Sequence, residues 1–144
     1  MNTTPSLVPG CVQNITPLLG RLLIAALFIP AGVHKITGFA TVSGYMASKG
    51  LPFPDFLLAL TIIIELGGGI LILIGWRAKE AALIIALFLI PVTVVFHAFW
   101  GIDDVQAMAA EQRVFMKNVG IMGGLFVMAG LGAGPLSVDQ RKRR

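Results

Sequence analysis

The stretch FLLALTIIIELGGGILILIGW, residues 56–76, carries one ionisable side chain in 21 residues, Glu65. A charged group near the centre of a bilayer costs about 2.5–3.5 kcal/mol to insert, so a carboxylate there needs a partner or a task. At the standard helical rise Glu65 lies about 13 Å into its span, close to the middle of a hydrocarbon core about 30 Å thick. By the same measure His97, Lys117 and Lys35 fall in the outer third, with Arg113 at the outer rim. Carboxylate and imidazole groups exchange protons, and an ammonium stabilises an anion, so such a set is chemically equipped to hold a polar ligand and move protons to it.

Helical spacing places these groups on faces shared with small residues. Arg113, Lys117, Gly120 and Gly124 form one stripe, and Glu65 with Gly68, Gly69 and Ile72 another. Thr93, His97 and Trp100 align on a third, and Arg21, Ala25, Phe28, Gly32 and Lys35 on a fourth. Because glycines let helix backbones approach closely in membranes, all four stripes are expected to face inward. A purely structural role stands beside the chemical one. Glu65 paired with Lys117 or Arg113 would stitch the second and fourth spans together. A neutral His97 would donate to a carbonyl, Lys35 and Lys49 would snorkel to the interface, and Arg21 would flank the inner surface. For Glu65 the functional reading is preferred. His34 and Cys11 read as ordinary residues.

The elements that must position these groups are set by composition. Of 144 residues 56% are hydrophobic and 12% charged, with a mean hydropathy of +0.87, which excludes an ordinary soluble domain, in which about a quarter of residues are charged. Disorder and a disulfide scaffold are excluded by the apolar content and the single cysteine. Four apolar runs, about 17–36, 56–76, 80–100 and 112–132, each suffice to cross a bilayer as a helix. Continuous apolar runs rule against a membrane β-barrel. The fold expected is therefore all-α, one membrane domain over 1–144, a bundle of four transmembrane helices running up-down-up-down. The first loop carries Gly44, Gly50, Pro52 and Pro54, a turn-rich segment placed to cap one mouth of the bundle.

Orientation follows from the cations. With the N-terminus inside, seven Lys and Arg lie on the cytoplasmic side, namely Arg21, Arg77, Lys79 and the terminal Arg141, Lys142, Arg143 and Arg144. Lys35, Lys49, Arg113 and Lys117 lie on the other, so both termini are expected in the cytoplasm. The basic tail reads as a membrane flank, with no nucleic-acid partner. No C-x-x-C, phosphate-binding glycine loop, H-E-x-x-H or G-x-S-x-G is present, and no metal site is expected, since His34, His97 and Glu65 lack diagnostic spacing.

Several motifs occur in fixed order: GRLLIAALFIPAGVHKITGF, GLPFP, IELGGGILILIGWRAKEAAL, FHAFW, FMKNVGIMGGLFVMAG and GPLSVD. From about Gly20 to Asp139 the chain resembles the DoxX family of small four-helix membrane proteins. The resemblance places that family's typical polar residues at Arg21, Lys35, Glu65, His97, Lys117 and Asn118, which become the ligand-binding candidates. It implies association with quinone-linked oxidation or with membrane complexes that manage thiols and oxidative stress, while many members have no known activity. Three readings stand. In the first, a redox-associated subunit of the bacterial inner membrane binds a quinone or similar amphipathic molecule in the outer half, with Glu65 and His97 exchanging protons and Lys117 stabilising the anion. In the second, a non-catalytic anchor or assembly partner serves an oxidoreductase or stress-response complex, and a homo-oligomer is compatible with each reading. The third, ranked below these, is a small proton-coupled transporter. Catalysis by this chain is left open, and a quinone is the one cofactor the readings admit.

Overall fold

Every regular segment is helical in the structure, a computed structural model that describes residues 9–141. The first span is α1 (Gly10–Thr37), followed through Gly38 by a short helix, α2 (Phe39–Ser48). Three segments build the second span: α3 (Pro54–Ile62), a π-helical turn (Ile63–Gly67) and α4 (Gly68–Ile74). The third and fourth spans are α5 (Ala78–Phe96) and α6 (Val105–Leu131), and a last turn of helix, α7 (Val138–Arg141), closes the described chain. All four spans are long and apolar enough to cross a bilayer.

Span positions follow the apolar runs, and most of their ends fall within two residues of them; the starts of α1 and α6 and the end of α5 do not. α1 starts at Gly10 and α6 at Val105, about two turns before the hydrophobic stretches begin, because helical hydrogen bonding does not stop where side chains become polar. The start of α6 is fixed instead by Asp104, whose carboxylate accepts the Ala107 N–H at 2.6 Å. α5 stops at Phe96, so His97 and Trp100 lie beyond the helix and the expected Thr93, His97, Trp100 stripe does not form. The turn-rich first loop holds helix α2, tied to the start of α3 by a hydrogen bond from the Ser43 hydroxyl to Asp55.

The buried apolar core lies mainly in the half of the bundle nearest the described chain ends. There Phe28, Ile72, Ala82, Ile85, Leu125 and Met128 form the centre of the apolar core, and the alanines of α5 let its neighbours close in. α5 packs on α6 along one side and on α4 along the other, and α1 covers α4 and the π-turn. Glycine makes that last contact: a Cβ on Gly32 would stand 2.8 Å from the Leu66 Cβ, and one on Gly69 would stand 3.0 Å from Ile29. Around this core many exposed apolar side chains, such as Leu23, Ile63 and Val127, provide the surface a lipid phase requires.

At the same end Arg21, 1% exposed, donates to the carbonyls of Leu73, at 3.4 Å, and Leu136. Asp139 accepts the backbone N–H groups of Arg77, at 2.8 Å, and Ala78, at 3.1 Å, and so caps α5. Its own N–H reaches the Gly75 carbonyl at 2.9 Å. The GPLSVD segment thus folds back over the α4–α5 turn. The basic tail expected to follow, Lys142 to Arg144, lies outside the described residues.

Candidate ligand-binding site

The half of the bundle away from the chain ends is built differently, with a cavity of about 220 Å³ among α1, α2, α3, the π-turn and α5. Its polar lining is Lys35 near the end of α1, Glu65 on the π-turn, Thr61 one turn earlier, Tyr45 on α2, and His97 just past α5. Val42, Met46, Leu58, Phe88, Val92 and Phe96 supply the apolar wall. A mainly apolar pocket with a few convergent polar groups is the usual form of a small-molecule site.

Lys35 and Glu65 form the centre. The ammonium donates to Glu65 Oε2 at 2.7 Å, with 24% of the lysine side chain and 8% of the glutamate side chain exposed. One ammonium hydrogen is spent on the carboxylate and two remain for another acceptor. Glu65 owes its place to the π-turn, a single-turn irregularity of the kind that recurs at functional sites because the added residue re-aims a side chain. Glu111 on α6 holds the Nδ1 of His97 at 2.9 Å, which leaves Nε2 as the ring nitrogen open to a ligand. α2 roofs the cavity. Its Tyr45 ring meets Phe96 at 5.8 Å, and the Lys49 ammonium sits 5.5 Å from the centre of the Tyr45 ring.

Of the six residues singled out by sequence, the structure brings Glu65, Lys35 and His97 together and keeps the other three apart. Glu65 pairs with Lys35, not with Lys117 or Arg113, so the ion pair joins the first and second spans. The expected inward stripe of Arg113, Lys117, Gly120 and Gly124 is exposed instead. α6 presents Asn118, Leu125 and Met128 to α5, and Lys117 lies in a separate groove with Gly120 and Gly124 opposite Gly20 and Leu23 of α1. Asn118 is buried and donates to the Thr93 hydroxyl at 3.1 Å, a link between α6 and α5. Arg21 belongs to the packed end. The stripe of Arg21, Ala25, Phe28, Gly32 and Lys35 does face inward as expected, and so do Glu65, Gly69 and Ile72.

The site also contains residues that sequence reasoning passed over. Glu111 lies only in the first turns of α6, outside the apolar run, so nothing local marked it as the partner of His97. Tyr45 and Met46 come from a segment read as a loop, although Phe39, Val42 and Met46, three and four residues apart in FATVSGYMAS, are compatible with a helix laid over an apolar cavity.

Lys35 and Glu65 both fall in the part of the chain that a family profile covers. The DoxX family profile matches residues 16–98, which includes both. The chain belongs to the DoxX family. It is similar to inner membrane protein YqjF of Escherichia coli, 36% identical over 129 residues that cover 90% of this chain and 93% of that one. It is also similar to inner membrane protein YphA of the same organism, 29% identical over 98% of this chain and 100% of that one. A more distant likeness is to a Surfeit locus protein 4 homolog of Drosophila melanogaster, 23% identical over 97% of this chain but only 46% of the longer protein. No solved structure matches the chain. Together with its four apolar spans, these relatives make this DoxX protein a multi-pass protein of the inner membrane.

Proposed function

We propose that this DoxX protein binds a small amphipathic molecule, of which a quinone is the best-matched case, in the cavity around Lys35 and Glu65. The observation that carries the reading is that the midspan carboxylate is not sealed in a closed salt bridge, but shares a cavity of about 220 Å³ with the lysine that neutralises it. A quinone head offers carbonyl oxygens, which are acceptors. The free hydrogens of the Lys35 ammonium donate to one of them, and His97, whose Nδ1–H faces Glu111, accepts at Nε2 from a hydroxyl of the reduced head. Lys35 takes the anion-stabilising role expected of Lys117. Glu65 keeps the ammonium in place and accepts or returns a proton as the bound head changes charge. A flavin or haem that exchanged electrons with such a ligand would belong to a partner protein.

The test is equilibrium binding of a short-chain quinone to purified protein in lipid nanodiscs. Glu65→Gln, which keeps the side-chain shape, is expected to weaken binding about tenfold, equivalent to about 1.4 kcal/mol. Unchanged affinity, accompanied by poorer folding or recovery, would favour a non-catalytic anchor.

A further inference from the structure

Next to the cavity that holds the ion pair lies a second of about 200 Å³, and the two have five wall residues in common: Met46, Thr61, Phe88, Val92 and Phe96. Its other walls are Leu51, Leu57, Leu60, Pro91 and Val95. None of its lining residues is ionisable, and the one hydroxyl, on Thr61, is bonded to the Leu57 carbonyl at 2.9 Å. The second chamber is therefore a dry one, with no free donor to hold a polar group.

This chamber opens sideways. α3 packs on α1, α2 and the π-turn more than on α5, so a cleft is left between the second and third spans. At its rim Leu60 is 44% and Val95 38% exposed, and Pro91 is exposed beside them. These side chains belong to spans that cross the bilayer, so the rim faces lipid. A polar chamber and an apolar chamber with a common wall, the latter open to lipid, fit one molecule with a hydrogen-bonding head and an apolar chain.

We infer that the ligand is chain-bearing, its head at Lys35 and Glu65 and its tail passing between α3 and α5 into the bilayer. The inference rests on the proposed head-group site and adds the class of ligand and its route. A water-soluble ligand would need no such chamber. A chain-bearing one reaches the site directly from the membrane, where it is already concentrated.

Two ligands with the same head separate the possibilities: a benzoquinone with a ten-carbon chain and its chainless parent, both titrated into protein in nanodiscs. Val95→Trp and Leu60→Trp fill the cleft from opposite walls and lie at the lipid-facing rim, where added bulk is tolerated. The chain-bearing quinone is expected to bind either variant about tenfold more weakly than it binds the unaltered protein. The chainless one is expected to bind all three about equally. Leu60→Ala, which widens the rim, is expected to retain the chain-bearing ligand. If both ligands bind the unaltered protein and neither tryptophan discriminates between them, the tail route is wrong while the head-group site stands. If neither ligand binds the unaltered protein, the head-group site fails and the tail route with it.

Discussion

Lys35 and Glu65 are the residues on which the account turns, and their energetics differ from those of a surface pair. Removing one member of a buried ion pair leaves an uncompensated charge, which costs more than replacing both by neutral groups. Lys35→Met is therefore expected to lower stability in detergent by about 1–3 kcal/mol, while adding Glu65→Gln recovers part of the loss. Thermal unfolding of the two variants reads the sign directly, and a double variant less stable than Lys35→Met would show that the carboxylate is not held by the lysine. Glu65 was legible in the sequence because one carboxylate in 21 apolar residues is costly. Its partner was not. The sequence offered Lys117 or Arg113 and left Lys35 to snorkel, and which cation reaches Glu65 depends on the rotation of α6, which turns Asn118 inward and Lys117 outward.

Among the elements, the two ends of the bundle are specialised in opposite ways. One end is packed on alanines and glycines and tied down by Arg21 and Asp139, and the other holds the cavities under α2. Gly75 shows how tight the first end is, since it has φ +69° and a Cβ there would collide with Arg21 and Ser137. Gly75→Ala combines a left-handed backbone with a steric clash, and is expected to destabilise more than Asp139→Ala, whose lost cap is worth about 1 kcal/mol. Melting temperatures of both variants check the order, and equal losses would mean that the turn can relax. The four spans were readable from apolar run length, as was the inward stripe of α1. α2 and the π-turn were not, because a short helix leaves little periodic signal and a π-turn has no sequence signature beyond the glycines that follow it.

For the molecule as a whole, the excess of cations at one end favours both termini in the cytoplasm, and we infer that orientation. Cys11 is the one cysteine and is exposed at the start of α1, so it reports on this without any mutation. A membrane-impermeant maleimide is expected to label it in inside-out vesicles and not in intact spheroplasts, and the reverse pattern would invert the bundle. In that orientation the ion pair lies in the outer half, and the dense packing lies on the cytoplasmic side. The two tryptophans also stand at opposite ends, Trp76 in the turn before α5 and Trp100 three residues beyond His97. Trp76→Phe leaves Trp100, three residues from the lining residue His97, as the single indole, and a quinone quenches indole fluorescence when bound close by. Titrating a short-chain quinone into that variant in nanodiscs is the most direct test of the site. Saturable quenching that shifts about tenfold to higher concentration when Glu65→Gln is added is the predicted result. Quenching that rises linearly without saturation, and is the same with and without Glu65→Gln, would contradict it.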